Sequence, residues 1–260
     1  MKDTRTPTQH STGVSRQNTG QALMNDQDAL RAEAGKLAAE PAAASDATSW
    51  FELLYQAAAR GKATIPWASL APNPHLVQWA RGRPLRGTGR TALVVGCGLG
   101  DDAEFAASLG FNVVAFDISP TAIDGARSRF PGSSVHYTPG DLLNPPASWR
   151  GAFDLVVEIY TVQPLHGTAR TTALSMLPRL VAPGGTLLII AHATEESAPE
   201  RDPSSFPWPL TRAEIDSAAD LLHPVKIELL RDDETPPTLR WRAEFNRRRD
   251  SRPPQPGATD

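Results

Sequence analysis

Apolar positions along this chain come in blocks whose period changes. Residues 91–97 (TALVVGC), 112–117 (NVVAFD), 153–159 (FDLVVEI) and 186–192 (TLLIIAH) are short continuous apolar runs rich in β-branched side chains. Strands buried on both faces read this way. Residues 134–138 (SVHYT) predict a shorter strand. Between these runs lie segments of helical composition. DAEFAASLG follows the first run and reaches Gly110, a residue suited to end a helix. Ser119 offers an N-cap and Pro120 a first helical residue, opening a helix to Phe130 that Pro131-Gly132 stops. Residues 168–182 predict a helix that Pro178 must kink or break. Thr211 with Glu214 fits a capping box, opening a helix to about Leu222. Residues 225–231 and 238–245, separated by DDETPP, predict an antiparallel hairpin. Strand and helix alternating in this way specify an α/β fold, an open and mostly parallel sheet with helices on both faces.

The pattern fades at both ends. Residues 1–45 carry few large apolar side chains, so disorder is the expectation there, and residues 1–23 are expected to be dispensable. Residues 247–260 form a basic, Pro-rich tail. The folded domain is therefore placed at 46–246. The 260-residue chain has a formal net charge of −3, which argues against nucleic acid as the main partner. Its one cysteine, Cys97, excludes an internal disulfide framework and a CxxC metal site, and no metal is expected. No apolar run is long enough to span a membrane, and residues 1–30 show no basic-then-apolar leader, so a cytoplasmic protein is expected. Of the 24 prolines, a cluster at 199–209 follows the fifth apolar run.

In open α/β sheets ligands bind beyond the carboxyl ends of the strands. The loop after the first strand reads Gly96-Cys97-Gly98-Leu99-Gly100-Asp101-Asp102. Asp101 stands where a dinucleotide-binding loop needs its last glycine. Two carboxylates at the positive end of the next helix also oppose a pyrophosphate. A cationic nucleoside such as S-adenosyl-L-methionine meets no such conflict, and Gly96, Gly98 and Gly100 allow the close backbone approach its adenosine needs. Asp117 ends the second strand, 21 residues past Gly96, where an acid can accept both ribose hydroxyls, although it could equally cap the next helix. Ile118 would offer an apolar face to the adenine. Asp141 could accept the adenine amino group and Leu142 wall the ring, or Asp141 could be an ordinary turn residue.

With these residues in place, the sequence resembles the class I S-adenosylmethionine-dependent methyltransferases. The matching string is VVGCGLGDDAEFAASLGFNVVAFDISPTAI, supported by GDLL, FDLVVE and APGGTLLII. Within that superfamily it looks most like the thiopurine S-methyltransferase branch with its thiol and halide methyltransferases. Trp50-Phe51-Glu52-Leu53-Leu54-Tyr55, Ile65-Pro66-Trp67 and the run from Leu239 to Phe245 carry that likeness. The resemblance implies a Rossmann-like seven-stranded sheet with an antiparallel last strand, an N-terminal helical segment over the cofactor, and Trp67 near the methionine part. Many relatives carry Asp after the fourth strand, where this chain has Glu158.

Methyl transfer needs alignment, desolvation and, for some acceptors, a base. Glu158, Tyr160 and His166 are the base candidates near the fourth-strand exit, with His192 further along the sheet edge. Each has a plainer role open to it: Glu158 could bind the cofactor ammonium, Tyr160 wall the acceptor pocket, His166 start a helix and His192 edge the pocket. Cys97 is expected to pack as a small hydrophobe beneath the loop. Residues 193–210, with Phe206 and Trp208, would form part of a lid over the acceptor. The reading is a methyltransferase acting on a small-molecule sulfur, oxygen or nitrogen nucleophile, as a monomer or homodimer. A non-catalytic sensor of the same fold is the alternative.

Overall fold

In the computed structural model, residues 48–83, 85–194, 208–219, 221–232 and 237–249 are described. The expectations for residues 1–45, for most of the tail and for the centre of the proposed lid lie outside them. Helix α1 (Ser49–Ala59) and helix α2 (Pro74–Arg81) precede the sheet. Strand β1 (Thr91–Val95) leads to α3 (Asp101–Ser108), β2 (Asn112–Asp117) to α4 (Pro120–Arg129), and β3 (His136–Pro139) to β4 (Phe153–Ile159). Then come α5 (Gly167–Leu180), β5 (Val181–His192), α6 (Arg212–Ser217), β6 (His223–Arg231) and β7 (Leu239–Asn246).

The seven strands lie in the order β3-β2-β1-β4-β5-β7-β6. The first five pair in parallel, and β7 runs antiparallel to both β5 and β6. Period-two alternation explains why the central runs are apolar throughout. Leu93 and Val95 join Val156, Leu187 and Ile189 in one core, with Trp50, Leu54 of α1 and Leu174, Leu177 of α5. Ala92 and Val94 join Leu155, Val157, Leu188 and Ile190 in the other, with Leu76, Trp79 of α2, Ala103 of α3 and Ile123 of α4. Both faces of β1, β4 and β5 are thus covered.

Local signals act as the residue types require. The Ser119 hydroxyl accepts the Ala122 N–H, and Gly110 beyond α3 adopts φ +91°. Thr211 and Glu214 cap each other's backbone. Three predicted boundaries are corrected. α5 ends at Leu180 rather than 182, two residues past Pro178. α6 ends at Ser217, short of the expected Leu222. β3 begins at His136, two residues later than expected from the apolar run.

Candidate functional site

The strand order reverses between β1 and β4, and their carboxyl ends open a cleft there. Two adjoining cavities occupy it. The smaller, about 60 Å³, is lined by Phe51, Phe116, Asp117, Ile118, Asp141 and Leu142 among others. The larger, about 1000 Å³, extends from Gly96–Leu99 to His75, Gln163, His192, Asp232 and Arg240. Tyr55, Trp67, Gly96, Ile159 and Tyr160 line both.

The glycine loop is a built backbone surface. Gly96 sits at φ +57°, and a Cβ there would lie 2.3 Å from Thr161 Oγ1. Gly100 sits at φ +94°, and its Cβ would lie 2.5 Å from the Tyr137 hydroxyl. Only glycine meets both the left-handed backbone and the close approach. The Gly98 N–H donates to Asp117 Oδ2 at 2.9 Å, and the Ser119 N–H donates to Oδ1 at 2.9 Å. Asp117 therefore holds the loop against the end of β2 while also facing the smaller cavity. Burial pushes its carboxyl up to about 6, against the pull of those backbone donors. Asp141 Oδ1 accepts the Leu143 N–H at 2.8 Å, an ordinary turn bond, while its residue lines the same cavity.

The two aspartates after the loop are both partnered. Asp101 accepts two hydrogen bonds from Arg129, at 2.6 and 2.8 Å. Asp102 Oδ1 accepts the Asn73 N–H at 2.7 Å, and burial pushes it up to about 6. Both stand in the first turn of α3, as the sequence leads one to expect, and each is held by a partner from outside the loop. Arg129 stands 28 residues away on α4, and nothing in the loop itself announces it.

Trp67 donates from Nε1 to the Tyr55 hydroxyl at 3.3 Å and packs edge-on to Trp50 and Phe51, each 6.1 Å away. Tyr55 is fully buried beneath the loop, and desolvation raises its phenol well above the usual range. Cys97 is buried and lines the larger cavity, its thiol likewise raised by burial.

The base candidates separate. Glu158 is completely buried and lines neither cavity. Its Oε1 accepts the N–H groups of Thr161 and Val162 at 2.7 and 3.0 Å, while Oε2 has no hydrogen-bond partner. Burial pushes the acid up to about 7. His166 is the exposed N-cap of α5, with its ring 5.5 Å from the Trp208 ring, and it too lines neither cavity. Trp208 is buried and its carbonyl accepts from Arg170 at 2.5 Å. Tyr160 does stand in the cleft, at φ +60°. A bulky residue in that region is strained, and such strain gathers at functional sites. Its ring lies 5.3 Å from His192 and beneath Arg240, whose guanidinium is 5.4 Å away. His192 lines the larger cavity, and its backbone N–H donates to Gln163 Oε1 at 2.7 Å.

Residues missed from the sequence are those that only tertiary packing assembles: Tyr55, His75, Thr161, Gln163, Asp232 and Arg240. Tyr55 lies within the pre-sheet segment and Arg240 within the run from Leu239 to Phe245, both named above for the family likeness, and the others carry no local signal. Among the described residues no group of three or more His, Cys, Asp or Glu could hold a metal ion. Among them, no helix is long and apolar enough to cross a membrane.

Residues 92–185 match a family described as a methyltransferase domain. A comparison with curated proteins finds no match. Several solved structures share the fold. One comes from work on the conversion of a disulfide bond into a thioacetal group during echinomycin biosynthesis. It is 24% identical, with TM-score 0.62, covering 77% of this chain and 94% of its own. The N-methyltransferase NodS from Bradyrhizobium japonicum, in complex with S-adenosyl-L-homocysteine, is 23% identical, with TM-score 0.55 and coverage of 74% and 97%. The geranyl diphosphate C-methyltransferase from Streptomyces coelicolor A3(2) is 15% identical, with TM-score 0.55 and coverage of 66% and 75%.

Proposed function

We propose that this protein, by way of the methyltransferase domain in residues 92–185, transfers the methyl group of S-adenosyl-L-methionine to a small-molecule nucleophile. The observation that carries this reading is the cradle at the end of β1. Glycines without room for a Cβ lie against a buried acid that already orders their loop and still faces a cavity. When bound, S-adenosylmethionine supplies a methyl carbon made electrophilic by its sulfonium.

The residues present fit that cofactor. Each Asp117 oxygen accepts one backbone N–H, which leaves a further lone pair for a ribose hydroxyl. Ile118, Asp141 and Leu142 surround the space for the base. Gly96, Cys97, Gly98 and Gly100 supply the loop, and Trp67 stands where the two cavities meet, suited to the methionine part. A cavity of about 1000 Å³ beside Trp67 and Tyr160 has the size of a small-molecule site. Glu158 serves from behind, ordering Thr161 and Val162 rather than meeting the ligand. We place the enzyme beside the thiopurine and thiol-halide branch, because Trp67 of the Ile65-Pro66-Trp67 segment packs on Trp50 and Phe51 as one aromatic unit. A cytoplasmic setting fits a single buried, free cysteine.

Calorimetric titration and thermal unfolding with S-adenosylhomocysteine test the reading. A ligand at 100 times its Kd adds about 2.7 kcal/mol of stability. Stabilisation by S-adenosylhomocysteine and none by NADH is the expected result, and a response to NADH alone would overturn it. Asp117→Ala should weaken binding and also destabilise the free protein by about 1–3 kcal/mol, since two buried N–H groups lose their acceptor. Asp117→Asn, which retains one acceptor oxygen, should lose affinity with a smaller loss of stability.

A further inference from the structure

The larger cavity has a polar wall that the cofactor reading does not use. His75 stands on the first turn of α2, where the Asn73 side chain accepts its backbone N–H at 2.9 Å. Its Nε2 lies 2.8 Å from Asp232 Oδ1, on the segment that follows β6. Asp232 Oδ2 lies 2.8 Å from Arg240 Nε on β7. Side-chain exposures of 13% for His75 and 17% for Asp232 show a pair that is shielded yet reachable from the cavity. These residues come from three segments and meet only at this wall.

We propose that His75, oriented by Asp232, is the general base for the methyl acceptor, so that the acceptor is one whose attacking atom carries a proton. This rests on the methyltransferase reading above. An ionised carboxylate only accepts, so the ring proton belongs on Nε2 and the Nδ1 lone pair is the basic one. Nδ1 has no partner among the described residues. As the acceptor oxygen, nitrogen or sulfur forms its bond to the methyl carbon, the carbon–sulfur bond breaks with its electron pair going to sulfur. The acceptor's proton passes to Nδ1 of His75, and Asp232 stabilises the resulting imidazolium. Arg240 shares Asp232 and fixes its orientation. Two other charged groups face the pair. Arg242 donates to the His75 carbonyl at 3.4 Å and is itself paired with Glu228, and Asp102 holds the Asn73 N–H beneath the same turn. Halides and pre-formed thiolates need no such base, so within the likeness to the thiopurine and thiol-halide branch the dyad points to acceptors that bind in their protonated form, such as thiols.

The rival role for the pair is a latch between α2 and the hairpin. His75→Gln separates the two, because glutamine still donates to Asp232 but takes no proton. With p-cresol, un-ionised at pH 7, and 4-nitrothiophenolate, ionised at pH 7, as probes, His75→Gln should cut phenol methylation by about 10²–10⁴-fold and thiolate methylation by far less. Asp232→Asn should cause a smaller loss with the same selectivity. Equal losses on both probes, or full phenol activity in His75→Gln, would overturn the proposal. A second readout needs no acceptor. In ¹H–¹⁵N NMR of the wild-type protein saturated with S-adenosylhomocysteine, the neutral His75 ring should carry its proton on Nε2. A proton on Nδ1 would overturn the proposal whatever the turnover. Failure to bind S-adenosylhomocysteine at all would instead overturn the methyltransferase reading on which the proposal stands.

Discussion

The two ends of the cleft are built by different means. The end proposed for the nucleoside is made largely of backbone: glycines 96, 98 and 100 at positive φ, with Asp117 and Asp141 accepting N–H groups. Its residues stand close to the strand ends that position them. The end proposed for the acceptor is made of side chains from distant segments, with His75 facing Asp232 across 157 residues and Arg240 resting on Tyr160. Backbone surfaces follow from local rules and tolerate almost no change. A wall of side chains depends on tertiary packing, and its chemistry can change while the loop stays intact. That division suits an enzyme with one cofactor and an acceptor set by a few exchangeable residues.

Gly96→Ala is the hardest test of the rigid end. The left-handed backbone costs a side chain about 1–2 kcal/mol, and a Cβ pressed on Thr161 adds an overpacking cost. Together they should destabilise the protein by about 2–4 kcal/mol in urea unfolding and abolish tight binding of S-adenosylhomocysteine. Adding Thr161→Ala should recover only part of the packing cost, because the Thr161 Cβ would still lie 2.9 Å from the new one, the hydroxyl's bond to the Val95 carbonyl is lost and the backbone strain remains. A loss below about 1 kcal/mol would mean that the loop yields, and the contrast between the two ends would fail.

This division also decides what could be read in advance. The apolar runs at 91–97, 112–117 and 153–159 located β1, β2 and β4, since burial on both faces leaves little choice of residue. The hairpin of β6 and β7 was legible from its turn, although β6 begins at His223. Gly96, Asp117 and Asp141 announced the smaller cavity because their chemistry is local. Glu158 and His166 were named for standing after a strand, but position along a chain does not say which way a side chain points. Glu158 turns inward to serve two backbone amides, and His166 starts α5, the plainer role the sequence left open to it. Arg129 and Asp232 carry no local signal, because their partners Asp101 and His75 stand 28 and 157 residues away.

Glu158 sits at the join between the two ends and gives the next largest effect. Its acid is pushed up to about 7, so between about pH 4.5 and 7 the folded protein holds a proton that the unfolded chain releases. By linkage, stability falls as pH rises through that window. Asp102 and Asp117, both near 6, add to the same trend between about pH 4 and 6. Glu52 and Glu228 are held below the usual carboxylate range, so their contributions are lost only at more acidic pH. The free protein should thus be more stable at pH 5 than at pH 8. Glu158→Gln mimics the protonated acid: its oxygen still accepts from Thr161 and Val162, and its amide replaces the unpartnered Oε2. It should be near neutral at pH 5 and stabilising by about 1–3 kcal/mol at pH 8. An equal change at both pH values would show that Glu158 is not the titrating group.

The smallest expected effect lies where Asp101 lines the larger cavity. Arg129 neutralises Asp101 at the N-terminus of α3, with side-chain exposures of 29% and 16%. Arg129→Gln would leave that carboxylate charged at the positive end of the helix, where it is tolerated, so stability should fall by less than about 1 kcal/mol. The freed charge faces the side of the cleft where a sulfonium would sit. S-adenosylmethionine and S-adenosylhomocysteine share their ammonium and carboxylate and differ in the sulfonium charge. The variant should therefore bind S-adenosylmethionine about two- to five-fold tighter while its affinity for S-adenosylhomocysteine hardly moves, with the gain shrinking as salt screens the charge. Paired titrations at low and high salt measure it. Equal shifts for the two ligands would mean that Asp101 acts on their common groups, and that the charge at this point belongs to the nucleoside end rather than to the reacting centre between the two.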